Sequence, residues 1–197
     1  MLFSNPQVPA RTLQEFIAYT KASPGNVSYG VPSLGTVNHL TMERLKQFTG
    51  MDISCIPYRG SPPAVLALMK NEVQVFPIGL AAVGTSFSEG KLTALAVATP
   101  ERVPMLPDVP TIAESGFPGF VASNWFGIAT PANTPEDIVD TLAQAVSEAQ
   151  NTALVQERFA KLGMLVPRLS QQQFVASLKP EADFWRETVE RGKISIE

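Results

Sequence analysis

The sequence predicts an α/β fold in which helices cover a largely parallel sheet. Short apolar or β-branched runs alternate with amphipathic helical segments along the first half of the chain. The run LTALAVA at 92–98 is almost entirely apolar, as expected of a strand that is covered on both faces. Strands that alternate with helices pair in parallel, because each crossover returns the chain to the same end of the sheet.

The composition indicates a folded chain and excludes several classes of protein. Of the 197 residues, 45% are hydrophobic and 17% are charged, which is enough apolar surface for a core. The net charge of -3 gives no electrostatic case for nucleic acid, and no apolar run is long enough to span a bilayer. His39 and Cys55 are the only residues of their kinds, so a disulfide, a His/Cys metal cluster and a His-based triad all lack partners. We expect no catalytic residue, no metal and no cofactor.

The first half of the chain is expected to contain four helices and four strands. The helix at 12–22 begins with a capping box, in which Thr12 and Glu15 each bond the other's backbone, and it stops at Ser23-Pro24. Cys55 is expected as a small buried side chain within its strand. The other helices are expected from 37 to the break at Gly50, at 61–70 and at 80–89, and the strands at 27–30, 53–56, 73–76 and 92–98.

Beyond Thr99 the pattern changes. The proline-rich segment 100–118 predicts an ordered, stiff connection, with a brief helical turn at 111–115, because proline fixes its own φ and restricts its predecessor. Residues 121–130 are expected to form one long strand. Helices are expected at 135–151, capped by Thr134, at 153–162, and at 170–191 with a break or kink at Pro180.

Two of the strand-to-helix turns predict an anion-binding site. Thr36 is expected to cap the helix that follows the first turn, and Ser61 the helix after the second, with Pro62 at its first position. A helix start presents free backbone N–H groups and about half a positive charge, which together bind anions. Gly35 and Gly60 would let a carboxylate-like group approach the backbone. Ordinary turns without a ligand explain the same residues equally well.

Four stretches of the chain resemble the Bug/TctC proteins, the solute receptors of tripartite tricarboxylate transporters. They are YGVPSLGTVNHL, IPYRGS, GKLTALAVATPERVPMLPDVPTIAESGFPGF and NWFGIATPANTP, in that order. The resemblance implies a type II periplasmic-binding-protein-like α/β fold, with two lobes that close on a ligand. It also implies capture of a small carboxylate, delivery to membrane permease subunits, a periplasmic location and no chemistry on the ligand.

The resemblance also suggests which part of the family's fold is present. The chain looks N-terminally truncated relative to the family and contains no recognisable signal peptide. Residues 6–123 would form a complete lobe two with a parallel-rich sheet, and 124–197 the returning strand and C-terminal helices of an incomplete lobe one. Without their usual packing partners, apolar stripes such as Ile138, Leu142 and Val146 would favour self-association.

The site residues follow partly from the turns and partly from the resemblance. His39 is expected to make a structural hydrogen bond more often than a ligand contact, and Arg59 to be solvated more often than paired with a carboxylate. Trp125 and Phe126 suit a cleft wall and a core equally well. The candidate ligand-binding residues are Ser33, Gly35, Thr36, Gly60, Ser61, Ile78 and Trp125.

Three alternatives to a solute receptor are considered for this sequence. A ligand-sensing regulatory domain of the LysR-effector kind shares this lobe architecture, but no helix-turn-helix precedes the domain in this sequence. A truncated chain with no binding function is a further alternative. An enzyme is disfavoured, because the sequence lacks a nucleophile elbow and acid–base pairs.

Overall fold

The computed structural model describes residues 1–166 and 169–195. The chain divides into two compact units, of which one comprises Met1–Ser123 with Trp185–Glu197 and the other Asn124–Phe184. The division into lobes at 6–123 and 124–197 remains a prediction. Within the second range, residues 167–168 and 196–197 lie outside the described part of the chain.

The first unit contains a five-stranded sheet in the order β3-β2-β4-β1-β5. Strand β2 pairs in parallel with β3 and β4, and β1 pairs antiparallel with β4 and β5. Four of the strands therefore run in one direction, which confirms the predicted parallel-rich sheet. The strands are β1 (Leu2–Ser4), β2 (Ser28–Val31), β3 (Ser54–Pro57), β4 (Val75–Pro77) and β5 (Thr93–Ala96).

Strand β1 was not predicted from the sequence. It lies between β4 and β5, with Phe3 opposite Phe76 on one side and Ala94 on the other. Three residues are too short for an alternating pattern to be recognised. Its assignment depends on the two neighbours that satisfy its backbone hydrogen bonds, and these lie far away in the sequence.

The sheet is covered on both faces, as its apolar strands predicted. Successive side chains of a strand point to opposite faces, and the neighbours Leu2 and Phe3 accordingly lie in two different core clusters. Val75 and Phe76 divide in the same way. Buried residues of helices α1 and α2 belong to the cluster of Leu2 and Val75, and those of α3 to the cluster of Phe3 and Phe76. Helices α1 to α3 are Leu13–Ala22, Val37–Thr49 and Ser61–Met69.

Two helix-end signals of this unit were read correctly, and one predicted helix is interrupted. The Thr12–Glu15 capping box is present at the start of α1. Gly50 ends α2 with φ 69°, a left-handed conformation that glycine adopts readily. The helix predicted at 80–89 is instead two single turns, α4 (Leu80–Val83) and α5 (Thr85–Ser88), because Gly84 at φ 53° interrupts it.

The proline-rich segment is ordered, as predicted. The Arg102 guanidinium bonds both carboxylate oxygens of Glu114 through its Nε, at 3.1 and 3.0 Å, and donates through Nη1 to the carbonyl of Pro107. The Glu114 carboxylate also accepts from the Thr111 backbone N–H, and the Thr111 hydroxyl accepts from the Glu114 backbone N–H. These bonds lower the pKa of the Glu114 carboxyl, chiefly through Arg102. Glu114 is a capping residue on the surface, not an acid–base group.

The long strand predicted at 121–130 is wrong. Within the described chain no strand is assigned there, and a single backbone bond, from Ala122 N–H to the Ala98 carbonyl at 2.9 Å, ties its start to the first unit. An apolar run becomes a strand only where a neighbouring strand satisfies its backbone groups. None of residues 1–166 and 169–195 supplies such a neighbour for 124–130.

The remaining helices are close to the predicted positions. They are α6 (Glu136–Gln150), α7 (Ala153–Lys161) and α8 (Gln171–Gly192), and α8 is assigned as one helix through Pro180. The predicted Thr134 cap is wrong, since the Thr134 hydroxyl donates to the Pro131 carbonyl and Pro135 occupies the N-cap position. In the first unit, the end of α8 contacts α2 through an Arg44–Glu187 ion pair at 2.9 Å and a bond from Gln47 to the Thr188 carbonyl.

Apolar side chains of the second unit are widely exposed. Neither α6 nor α7 contains a buried residue. Ile138 is 47% exposed and Leu142 is 41% exposed, one helical turn apart on α6. Other large exposed apolar residues in this unit are Trp125, Phe126, Ile128, Leu154, Leu162, Leu165, Leu169 and Val175. An apolar surface of this kind is typical of an interaction face.

We therefore expect the chain to self-associate at micromolar concentration, and Leu142→Ser to reduce the association. Burial of an exposed Leu side chain contributes about 1.5–3 kcal/mol, so its loss is expected to weaken a self-contact through α6 by about tenfold or more. Sedimentation velocity over a concentration series measures this. Gln144→Ser, on the polar side of the same helix, is the matched control and is expected to leave association unchanged. A stable monomer of the unsubstituted chain would contradict the prediction.

Candidate anion-binding site

Three strand-to-helix turns meet at one edge of the sheet. Val31 lies opposite Pro57 at the ends of the parallel strands β2 and β3. The turns that follow are joined by two backbone bonds, from Tyr58 N–H to the Val31 carbonyl at 2.9 Å and from Gly60 N–H to the Pro32 carbonyl at 3.0 Å. The side chain of Asn38, in the first turn of α2, bonds the carbonyl of Pro77 at the end of β4. The carboxyl ends of adjacent parallel strands are a common ligand-binding position in α/β proteins.

The start of α2 has free backbone donors, but not for the predicted reason. Thr36 is the N-cap, yet its hydroxyl accepts no bond from the helix and instead donates to the Ser33 carbonyl at 2.8 Å. The predicted hydroxyl cap is therefore wrong. Among the described residues, no acceptor pairs with the backbone N–H of Val37 or Asn38, and that of Thr36 is directed only loosely at the Ser33 carbonyl across the turn. An uncapped helix start leaves these donors, with the positive end of the helix dipole, for an anion.

The second turn contributes less than the sequence suggested. Gly60, not Ser61, is the N-cap of α3, and Ser61 is the first helical residue. The expectation that Ser61 caps the helix is wrong for a steric reason: Gly60 has φ 102° and ψ 175°, a conformation that is nearly exclusive to glycine. Pro62 and Pro63 follow and have no N–H to donate. What this turn can offer an anion is the N–H and the hydroxyl of Ser61.

The glycines of the two turns shape the site without donating to a ligand. The Gly60 N–H is already bonded to the Pro32 carbonyl, and the Gly35 N–H to His39 Nδ1 at 3.1 Å. Gly35 has φ 73°, a left-handed conformation that most residues adopt only with strain. Both glycines therefore fix the path of the backbone.

The other predicted site residues lie in different surroundings. Ser33 is exposed in the first turn. Ile78 is 5% exposed and its side chain lies in a core cluster, while its N–H donates to the Met1 carbonyl. Trp125 belongs to the second unit, where its Nε1 donates to Glu181 at 2.8 Å and its ring meets Phe174 edge-on at 5.0 Å.

One cation lies beside the two turns. Arg59 precedes Gly60, is exposed, and forms no ion pair with any of the residues described. A guanidinium can bond a carboxylate through two parallel N–H groups. Arg59 is therefore available to a ligand carboxylate, although its flexible side chain is equally compatible with a solvated position.

His39 was predicted to make a structural hydrogen bond, and this is confirmed. It is 5% exposed, and its Nδ1 accepts from Gly35 within the anion-binding turn. The sequence did not predict that the His39 hydrogen bond would be made to Gly35, within the anion-binding turn itself. The spacing of four residues between Gly35 and His39, at a helix start, was the available signal.

The family of the chain follows from comparison with known proteins. The family model for TctC, the tripartite tricarboxylate transporter family receptor, matches residues 1–193. The chain belongs to this family. BugT of Bordetella pertussis is 38% identical over 163 residues, which are 83% of this chain and 50% of that protein. The TctC chain thus spans about half the length of the curated relatives it matches.

Solved structures of similar proteins have the same fold. An R. palustris protein with adipate superposes with a TM-score of 0.86 at 29% identity, over 99% of the TctC chain and 65% of its own. MatC of Rhodopseudomonas palustris, with bound malate, superposes with a TM-score of 0.75 at 32% identity, over 100% of this chain and 66% of its own. These likenesses confirm the predicted fold class. The matched family is one of solute receptors and is not an enzyme family.

Within residues 1–166 and 169–195, no cluster of three or more His, Cys, Asp or Glu side chains could hold a metal ion. In the same residues, no helix combines the length and hydrophobicity needed to cross a membrane.

The conformation of Gly60 yields a test of the second turn. We expect Gly60→Ala to destabilise the protein by about 1–3 kcal/mol, because a Cβ is strained at that φ and ψ. Gly79→Ala is the matched control, since Gly79 caps α4 at φ -72° and nothing lies within 4 Å of the added Cβ. Urea unfolding measures both. Equal stabilities of the two variants would contradict the assigned turn geometry.

Proposed function

We propose that this TctC protein is a solute-binding receptor that captures a small dicarboxylate. The observation that carries the proposal is the group of unpaired N–H donors at the start of α2, at the carboxyl edge of the sheet. Family membership supports the same function. So do the two similar proteins, one with adipate and one with malate, since both ligands are small dicarboxylates.

One carboxylate of the ligand would bind at the first turn. Its oxygens would accept from the N–H groups of Thr36, Val37 and Asn38, where the helix dipole adds favourable charge. Backbone donors are fixed by the turn before the ligand arrives, so little entropy is lost in ordering them. Ser33, exposed in the same turn, would add a hydroxyl donor.

The second carboxylate would bind nearer the second turn. The Ser61 N–H and hydroxyl, and the unpaired guanidinium of Arg59, are the donors there. Because Pro62 and Pro63 remove two backbone donors, this end of the site depends more on side chains. Ile78 and Trp125 are candidates on the family resemblance alone. The Ile78 side chain is buried and its N–H is already bonded to the Met1 carbonyl, so it adds no donor to the two turns. Trp125 belongs to the other unit.

The remaining parts of the proposal follow from the family. Such a receptor acts in the periplasm and delivers its ligand unchanged to membrane permease subunits. The roles proposed here are binding roles, in which backbone amides, hydroxyls and a guanidinium hold an anion through hydrogen bonds.

The expected affinity of the 197-residue chain is weak. Each charge-assisted hydrogen bond contributes about 1.5–3 kcal/mol net, so three of them give about 5–9 kcal/mol. Loss of translational and rotational freedom costs at least about 4 kcal/mol. The difference of at most about 5 kcal/mol corresponds to a dissociation constant of about a few tenths of a millimolar or weaker.

We expect adipate and malate to shift the backbone amide signals of Thr36, Val37 and Asn38 along one common saturation curve. Titration of the 15N-labelled chain by NMR, up to about 50 mM ligand because the expected constant is millimolar, measures this. Ser61→Ala is expected to weaken binding several-fold, because it removes one donor. Ser88→Ala, on the exposed helix α5, is the matched control.

Two results would contradict the proposal. If neutral or cationic solutes shift these amide signals as strongly as the dicarboxylates do, the amides do not form a site selective for anions. Saturable dicarboxylate binding that leaves the three amides unmoved would place the ligand elsewhere on the chain.

A further inference from the structure

His39 lies directly behind the turn that presents the free amides. Its Nδ1 accepts the Gly35 N–H at 3.1 Å, and the ring is 5% exposed. Gly35 immediately precedes Thr36, the first of the three proposed donors. The bond therefore ties a left-handed residue of an exposed turn to a buried side chain of the helix that the turn begins.

Polar groups from three elements surround His39. The Tyr29 ring of β2 stacks on the imidazole at 6.5 Å, and its hydroxyl donates to Glu43. Glu43 Oε1, one turn along α2, lies 4.0 Å from His39 Nε2 and bonds Lys46 Nζ at 2.8 Å. The Cys55 thiol of β3 interacts electrostatically with the Tyr29 hydroxyl. Since Nδ1 is an acceptor, the proton of the neutral ring is on Nε2, which faces the Glu43 carboxylate.

We propose that His39 is a positioning residue for the ligand turn: its neutral imidazole holds Gly35 so that the Thr36, Val37 and Asn38 amides stay open to the ligand. This rests on the proposed dicarboxylate function. Without the Nδ1 acceptor, the Gly35 N–H loses its bond, and the turn no longer fixes the direction of the amides that follow. The ligand then has to order the turn as it binds, which weakens its affinity.

The hydrogen bond exists only while His39 is neutral. A protonated imidazole has N–H groups at both nitrogens and has no acceptor for Gly35. Burial lowers the pKa of His39 from its ordinary value of 6.5; the Glu43 carboxylate opposes this and Lys46 adds to it. The positive end of the α2 dipole acts in the same direction as burial.

The sign of the pH dependence follows from the lowered pKa. The folded protein binds fewer protons at His39 than the unfolded chain does, so the contribution of the neutral ring to stability is complete above about pH 6.5. It is lost as the pH falls from there through the folded-state pKa. The order of the ligand turn is expected to be lost over the same range.

Two substitutions separate the acceptor from the ring. His39→Asn places a side-chain oxygen the same number of bonds from the backbone as Nδ1, so it retains an acceptor that does not titrate. His39→Phe retains a ring beside Tyr29 and removes the acceptor. The Gly60 amide, bonded to the Pro32 carbonyl, is an internal control because no imidazole is involved.

The first experiment uses no ligand. Amide hydrogen exchange and chemical shifts of the 15N-labelled chain are followed from pH 8 downward. We expect the Gly35 amide to follow the His39 titration and to exchange about two- to tenfold faster, relative to its intrinsic rate, once the ring is protonated. His39→Asn should retain protection without a pH step, and His39→Phe should lose it at every pH. If His39→Phe fails to fold, the titration of the unsubstituted chain still decides. A Gly35 amide that ignores the ionisation of His39 would overturn the proposal.

The second experiment adds malate as the probe. We expect binding to weaken about two- to tenfold in His39→Phe and on protonation of the unsubstituted chain, and His39→Asn to bind malate without that pH step. Equal malate binding by all three proteins would overturn the positioning role while leaving the receptor function in place. If malate does not bind at all, the proposed ligand fails, and the experiment without ligand still tests whether His39 holds the turn.

Discussion

Backbone donors outnumber their acceptors at the start of α2, and the proposed site depends on this imbalance. The Thr36 hydroxyl, which could have satisfied one of the donors, is turned to the Ser33 carbonyl instead. The Gly35 N–H is bonded to His39, the Thr36 N–H is directed only loosely at the Ser33 carbonyl, and the N–H groups of Val37 and Asn38 have no partner among the residues described. Unpaired donors at a helix start are tolerable where water or a ligand can reach them. The absence of a side-chain cap is therefore the feature that makes this turn suitable for an anion, and a perfectly capped helix would be less suitable.

The rest of the first unit holds this turn in place. Parallel pairing of β2 with β3 and β4 brings three turns to one edge, and the Tyr58 and Gly60 backbone bonds join two of them. Core clusters on both faces of the sheet fix the strands from which the turns begin. The two main turns then differ in character. The first is rich in backbone donors, whereas the second has two prolines where donors would be and relies on Ser61 and Arg59. Such asymmetry suits a ligand with two unequal ends, such as malate, at least as well as a symmetric one.

The sequence predicted the parts of the fold that depend on neighbouring residues, but not the parts that depend on pairing with distant residues. The Thr12–Glu15 capping box, the Gly50 helix end and four of the five strands were found because each depends on residues close together in the chain. Strand β1 was missed, and residues 121–130 were wrongly predicted as a strand, because strand formation in both segments depends on backbone pairing with distant residues. At the candidate site, both predicted helix caps were wrong. Whether a hydroxyl caps a helix or bonds a neighbouring carbonyl is decided by angles of a few tens of degrees, which residue types do not specify. The second role of His39 was missed for the same reason.

The most direct test of the central claim is a crystal structure of this chain grown with adipate at high concentration. We expect one adipate carboxylate with its oxygens about 2.7–3.2 Å from the backbone nitrogens of Thr36, Val37 and Asn38, with Gly35 still bonded to His39. Density for the ligand at any other place, with those three amides bonded to water or to the protein itself, would contradict it.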